Sequence, residues 1–479
     1  KTKSMFKDRV SYTTASLGDS GEVTAFASLP DAALEGLINI NFGQLKGFHV
    51  PEKLKGPGIP LGVNRYAGEE NIVYIPSSSK NFSMYEIGST TSGKSNSIEN
   101  QFIYHAANNA SVIIFDFHNE TADSVLTKIP SVVEDKTRIL DPSSATHVPR
   151  LNFFCTSNED EIGALAINSV DSFRALFRDY FTDKQAHILL KLITGILILK
   201  KNLTTLPQLY KETREGDLFR KEILAKTNNP EIIRFFSGEY RNFPKETYAS
   251  IDYKVSMFTA DDRIRRIFSQ DDNAFDLEFI MNNGGILINK FSIGLLGVGC
   301  AGWMGSMTLA HVQKIAIRRA SMPPEERKPC FIFIDEFHRL KNLEICHSLI
   351  NETRKYKVFL IASHQTTGQI SIDDFKSFAS LPNIMCFRVN IDDAKLMSKV
   401  FNGRVTPDEI MNQGVGEVFA RIDNQHIVNF KTFPPKKGDP SIAERIYKRS
   451  YENYYKPIEE VLVEEQKCKE KKKREFETF

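Results

Sequence analysis

The sequence has no excess of either charge: 62 Lys and Arg face 60 Asp and Glu, a formal net charge of +2. Bulk electrostatics therefore neither requires nor excludes a nucleic-acid partner, and any such surface has to be a local basic patch. Cysteine is sparse. Cys155, Cys300, Cys330, Cys346, Cys386 and Cys468 are scattered, with no Cys-x-x-Cys pair. That argues against a zinc module or a disulfide framework and suits a reducing cytoplasm. Long hydrophobic runs are missing as well. His187–Leu199 is apolar but short and interrupted by Lys191, while Phe291–Ala310 is uncharged but holds five glycines. A membrane-spanning helix needs about 20 strongly apolar residues, so both stretches read as buried helices. No signal peptide is visible, and the first residue is Lys1 rather than Met, which reads as a fragment or a processed chain.

What remains is ordinary globular material in quantity. At 479 residues, 41% hydrophobic and 25% charged, the chain can bury a large core and is expected to hold two or three domains.

One run stands out, Gly88-Ser89-Thr90-Thr91-Ser92-Gly93-Lys94-Ser95. It fits G-x-x-x-x-G-K-[ST], the phosphate-binding P-loop. Backbone N–H groups of such a loop line a concavity for phosphate oxygens, and the helix that follows adds its positive end. Lys94 would lie along the β- and γ-phosphates and Ser95 would place its hydroxyl on Mg²⁺. Residues 82–87 read as the strand entering the loop, and Ile98, Phe102 and Ala106 give the following segment Asn96–Asn109 helical spacing. Two residues depart from the expected pattern. Glu86 puts a charge in a strand that is usually apolar throughout, and Thr91 puts a β-branched residue where unusual φ angles occur.

Phe331-Ile332-Phe333-Ile334-Asp335-Glu336 is an apolar strand ending in two acids, a Walker B pattern. Asp335 would hold Mg²⁺ through its water shell, and Glu336 would orient and polarise the attacking water, which suits a reaction governed by positioning and charge. Val358–Ser363 is followed by His364-Gln365, where Gln365 is placed to contact the γ-phosphate or the lytic water. Asp116-Phe117-His118-Asn119-Glu120 follows another strand, on the ligand edge of an open α/β sheet. An arginine from a neighbouring subunit usually completes such a site. Arg265, Arg266, Arg354 and Arg388 are the candidates.

The organisation expected from these patterns is a β-rich module over residues 1–80 with short runs at Glu22–Ser28, Gly36–Asn41 and Asn71–Pro76. A first part of an α/β core follows over 81–157, then an all-helical insertion over 158–270, the second part of the core over 271–435, and a charged helical tail over 436–479. Unbroken apolar runs at Val112–Asp116, Gly285–Asn289, Cys330–Asp335, Val358–Ser363, Ile384–Val389 and Gly416–Arg421 suit a parallel sheet covered on both faces. The tail ends in Lys467-Cys468-Lys469-Glu470-Lys471-Lys472-Lys473-Arg474, a basic run that reads first as solvated. Lys290 and Lys376, near strand or loop ends, are candidates for a DNA-facing surface.

Together these motifs resemble the HerA–FtsK class of P-loop motors, and within it HerA-type helicases and the type IV secretion and conjugation coupling ATPases. Asp116-x-His118-x-Glu120 is similar to the Asp-Pro-His-Gly-Glu run of that class, with Phe117 and Asn119 as departures. Ile334-Asp335-Glu336-Phe337-His338 is similar to its Walker B segment. Glu352-Thr353-Arg354-Lys355-Tyr356-Lys357-Val358, followed by Ser363-His364-Gln365, resembles its Ala-Arg-Lys-Tyr-Gly…Ala-Thr-Gln stretch, with Lys357 where glycine is usual. Asn383–Val389 and Asp392-Asp393-Ala394 resemble the segment after that. The resemblance implies a RecA-like core with a mostly parallel sheet, a hexameric ring with ATP and Mg²⁺ between neighbours, and DNA in the central channel. It also implies membrane-embedded secretion or DNA-transfer partners, and a cytoplasmic place at the inner face of the membrane through a segment absent from this chain. Three functions stay open: a DNA-translocating motor, a type IV secretion or pilus ATPase that moves protein, and a nucleotide-gated scaffold ring in a defence assembly.

Overall fold

The computed structural model describes residues 47–156 and 158–477. In chain order its strands are β1 (Gly58–Tyr66), β2 (Glu69–Pro76), β3 (Met84–Ile87), β4 (Ser111–Asp116), β5 (Thr137–Leu140), β6 (His147–Pro149), β7 (Ile286–Lys290), β8 (Cys330–Ile334), β9 (Val358–His364), β10 (Asn383–Cys386), β11 (Glu417–Ile422), β12 (His426–Thr432) and β13 (Tyr455–Pro457). Eleven of them form one sheet in the order β2-β1-β12-β11-β10-β3-β9-β8-β4-β7-β5, and β13 pairs with β6 apart from it. From β10 to β5 every neighbouring pair is parallel. From β10 out to β2 every pair is antiparallel. The α/β class with a mostly parallel central sheet, expected from the sequence, is the class found.

The apolar runs explain the parallel half. Every residue of β3, β4, β7, β8, β9 and β10 is buried, because helices cover both faces of the sheet. The chain leaves β10 at Cys386, short of the expected Val389, because the backbone then bends to receive the P-loop: Ser89 N–H donates to the Arg388 carbonyl at 2.9 Å. β12 carries half-buried His426 and Asn429 and exposed Lys431 between buried residues. That alternation suits an antiparallel strand, and no unbroken apolar run marks it.

One expected boundary is corrected. Asn71–Pro76 does not belong to a separate β-rich module. It lies in β2, whose partner β1 pairs with β12 at Gly62–Thr432 and Val63–Lys431, so the hairpin extends the central sheet. The runs at Glu22–Ser28 and Gly36–Asn41 lie outside the described residues. The C-terminal segment is helical as expected, in Pro440–Tyr454 and Ile458–Glu477, and its first part packs on the core. Helix Pro440–Tyr454 buries Ile446 and Ser450, and β13 then pairs with β6. Tyr455 is buried and its hydroxyl donates to the Ile139 carbonyl of β5 at 3.1 Å.

Between β6 and β7 the described residues form helices and no strand, including Ile162–Phe177, Asp183–Leu199, Arg214–Lys226, Pro230–Ser237, Lys245–Thr259 and Asp262–Phe268. Local signals set their starts. Thr182 and Gln185 form a capping box, and Asn229 caps a helix whose first residue is Pro230. Phe173, Phe258 and Phe268 gather around fully buried Trp303 of helix Val298–Arg318, which ties these helices to the core. Among the described residues no helix is long and apolar enough to cross a membrane.

Candidate functional site

The run Gly88–Ser95 joins β3 to helix Lys94–Ala107 at the carboxyl edge of the parallel strands. Its outer bonds fix its path. Gly88 N–H donates to the His364 carbonyl at 3.3 Å, Ser92 N–H to the Ser89 carbonyl at 3.2 Å, and Gly416 N–H to the Ser92 carbonyl at 2.8 Å. The amides of Thr90, Thr91 and Gly93 make no backbone bond among the described residues, and no side chain caps the helix. With the first amides of the helix they form a set of unpaired donors at its positive end, which is what an anion needs.

Two residues set the curvature of that loop. Thr91 takes φ +63° and Gly93 φ +102°. A Cβ on Gly93 would lie 2.7 Å from Gly416 N and 2.8 Å from Gly416 Cα, so the position rejects a side chain for space as well as for φ. A Gly93→Ala chain is expected to lose about 2 kcal/mol of stability or more, with weakened ATP binding. Denaturant titration and equilibrium nucleotide binding check both.

Across the loop lies the acid pair. Asp335 follows β8, next to β9 and one strand from β3. Lys94 Nζ lies 3.2 Å from Glu336 Oε1 and 3.5 Å from Asp335 Oδ1, with all three side chains nearly buried. Ser363 Oγ donates to Asp335 Oδ1 at 2.7 Å and Thr121 Oγ1 to Asp335 Oδ2 at 3.1 Å. Glu336 takes a left-handed backbone, φ +59°, which turns it away from the strand direction. Its Oε2 accepts no hydrogen bond and lies 3.4 Å from His338 Nδ1. Burial pushes the His338 imidazole down to about 4, so it is neutral at pH 7. The lysine of one motif and both acids of the other thus share one place, 241 positions apart in the chain (335 minus 94).

The other predicted residues are distributed as follows. Gln365 is half-buried beside the loop, and Thr90 Oγ1 donates to its Oε1 at 3.3 Å. Ser95 is exposed in the first helical turn. The Arg388 carbonyl receives both Ser89 N–H and Ser89 Oγ, and its half-exposed side chain has no ion pair among the described residues. Arg354 is not in this chain's own site. It precedes β9, at the opposite end of a seven-residue strand, about 20 Å from the loop by strand rise. Arg265 and Arg266 are tied within the chain to Glu465.

Lys290 is no outward-facing cation. It is buried and held by Asp123 at 2.8 Å, Asp141 at 3.4 Å and Tyr447 at 2.6 Å. Lys376 is exposed and pairs with Asp373. Asp116 is a local organiser, its carboxylate accepting from the amides of His118, Asn119 and Ala122, while His118 and Glu120 are exposed. Thr121 has no motif to announce it, and the sequence patterns that contain Ser363 and Gly416 do not announce their contacts with Asp335 and Ser92. They become visible only when strands distant in sequence are placed side by side.

The donor set suits a hard divalent cation. Among the described residues no three His, Cys, Asp or Glu are placed to hold a metal ion. One carboxylate, Asp335, and one hydroxyl, Ser95, fit Mg²⁺, which is held by few side chains and otherwise by phosphate oxygens and water.

The family described as Type IV secretory system Conjugative DNA transfer matches residues 64–409. No curated protein matches the chain. Among solved structures, plasmid coupling protein TrwB in complex with a non-hydrolysable ATP analogue, ADPNP, is similar at TM-score 0.57 and 17% identity, covering 83% of this chain and 95% of that one. TrwB in complex with ADP and Mg²⁺ is similar at TM-score 0.56 and 15% identity, covering 82% and 95%. VirB4 of Thermoanaerobacter pseudethanolicus is similar at TM-score 0.54 and 14% identity, covering 79% and 97%.

Proposed function

Because the chain belongs to the Type IV secretory system conjugative DNA transfer family, we propose that it is an ATP-driven coupling motor that hydrolyses ATP to ADP and phosphate and moves DNA. The observation that carries this reading is the meeting of Lys94, Asp335 and Glu336 beside a loop of unpaired amides. The amides of Thr90, Thr91, Gly93, Lys94 and Ser95 hold the phosphate chain. Lys94 leaves the acids for the β- and γ-phosphates. Ser95 and Asp335 hold Mg²⁺, with Ser363 and Thr121 fixing both oxygens of Asp335. Bound Mg²⁺ offsets the charge that develops on the phosphate oxygens. Glu336, released from Lys94, accepts a proton from the attacking water through a carboxylate oxygen. Gln365, next to Thr90, orients that water. That fold-level neighbours bind ADP with Mg²⁺ and an ATP analogue supports ATP and Mg²⁺ as the ligands here.

The same reading includes a hexameric ring, with Arg388 as the cation offered to the transition state. Its carbonyl accepts from Ser89 of the loop and its half-exposed side chain has no ion pair among the described residues, whereas Arg265 and Arg266 are held elsewhere. Membrane-embedded partners of the secretion machinery, at the inner face of the cell membrane, complete it. The family favours DNA over protein as the moved substrate. The test is ATP turnover with and without single- and double-stranded DNA over a salt series, alongside the mass of the assembled particle. DNA raises turnover severalfold at low salt, and the stimulation fades as salt rises because phosphate contacts release counterions. Turnover indifferent to DNA at low salt overturns the DNA motor and leaves the protein-moving alternative.

A further inference from the structure

Glu86 plays no part in that scheme, yet it lies under it. It is the third residue of β3, fully buried, one strand from the acid pair. Its Oε1 accepts from Gln101 Nε2 at 2.6 Å and from Ser97 Oγ at 3.4 Å, and both donors lie on the helix that begins at Lys94. Its Oε2 has no hydrogen-bond partner. Among the described residues no cation is bonded to it. The charged groups facing it are Lys94 from the helix and Asp335 from the end of β8. Its register neighbours, Ser363 on β9 and Met385 on β10, do not titrate.

A carboxylate in such a place is costly when charged. Burial pushes Glu86 up to about 7, the hydrogen bond from Gln101 and the charge of Lys94 restrain it, and the charge of Asp335 pushes it further up. A nucleotide diphosphate or triphosphate carries net negative charge even with Mg²⁺, and Lys94 turns toward it. Both changes make the potential at Glu86 more negative.

We propose that Glu86 is a positioning residue that links nucleotide binding to proton uptake: phosphates entering the loop drive it to the neutral acid, with one proton taken from solvent onto Oε2. The proposal rests on the nucleotide reading of the loop. The neutral acid keeps the hydrogen bonds of Gln101 and Ser97, so the Lys94 helix is not displaced by a second buried negative charge. The sign follows. Uptake on binding means that affinity falls as pH rises through neutrality, by at most about tenfold per pH unit for one proton.

The experiment is calorimetric titration with MgADP between pH 6 and 8.5, in two buffers of different ionisation enthalpy, for the native chain and Glu86→Gln. The native chain is expected to take up about half a proton near pH 7, and to bind several-fold more weakly at pH 8.5 than at pH 6.5. Glu86→Gln is expected to bind with a flat profile. A second readout needs no nucleotide. A folded-state value raised above 4.5 makes the native fold bind more protons than the unfolded chain, so native stability falls as pH rises from about 4.5 to 7, and the Gln variant lacks that slope.

Should Glu86→Gln fail to fold, Gln101→Met removes the bond that favours the carboxylate and moves the pH midpoint of MgADP affinity upward. Equal proton uptake in native and Glu86→Gln, no uptake in the native chain, or an unmoved midpoint in Gln101→Met overturns the role of Glu86. A native chain that does not bind MgADP removes the loop reading itself, which separates the two failures.

Discussion

A Lys94→Ala chain is expected to bind ATP at least about 100-fold more weakly and to show no measurable turnover. The reason is local and has two parts. With phosphates in the loop, Lys94 is the one side-chain cation the P-loop run itself contributes. Without them, it neutralises Glu336 at 3.2 Å and Asp335 at 3.5 Å in a place where all three side chains are nearly buried. Truncation leaves two carboxylates facing each other without a cation, and breaking a buried pair in this way costs about 3 kcal/mol or more. The variant is therefore expected to unfold at lower denaturant as well as to lose nucleotide. Phosphate release and denaturant titration on the same preparation report both effects. Full hydrolysis by Lys94→Ala would contradict the site as a whole.

Glu336→Gln is expected to behave differently. Turnover falls by about a thousandfold, within the range for loss of a general base, because an amide accepts no proton from water. Binding is retained or tightened, since an uncharged amide side chain at this position holds Lys94 less firmly in the empty site and leaves it free for the phosphates. The measurements are phosphate release at saturating ATP and equilibrium binding of the same nucleotide. Weakened binding with turnover intact would exclude Glu336 from the chemistry. The same variant separates a motor from a scaffold: a motor stalls with ATP trapped, whereas a scaffold ring assembles as the native chain does.

Much of the site was legible because its two motifs are local. Phe331–Glu336 is an apolar strand with an acidic end and Gly88–Ser95 is a polar, glycine-bounded run directly after β3, and such patterns survive without any knowledge of neighbours. The parallel strands other than β5 were legible for the same reason, being buried on both faces. What escaped was whatever depends on pairing across the chain. β12 alternates and lies inside the antiparallel half of the sheet, and β5 and β13 are only four and three residues long. Thr121 and Ser363 acquire their role only by meeting Asp335.

The departures noted in the sequence have physical settings. Lys357, where the resembled stretch has glycine, takes φ +55°, so the backbone keeps the left-handed turn that glycine would supply at no steric cost. Thr91 does likewise at φ +63°. Arg354 is harder to place from sequence, because proximity to β9 does not say which end of the strand a residue occupies.

The stitching of the sheet also bears on how the protein comes into being. β1 finds its partner β12 at a separation of 370 residues, from Gly62 to Thr432, and β6 waits for β13, more than 300 positions downstream. On a ribosome, the β1–β2 hairpin emerges long before the strand that it joins, while the loop for phosphates lacks β9 and β10 on either side until Cys386 is made. Contacts this distant fold slowly, so nascent chains expose β-strand edges for the length of synthesis. Completion of the central sheet is therefore a late event in synthesis.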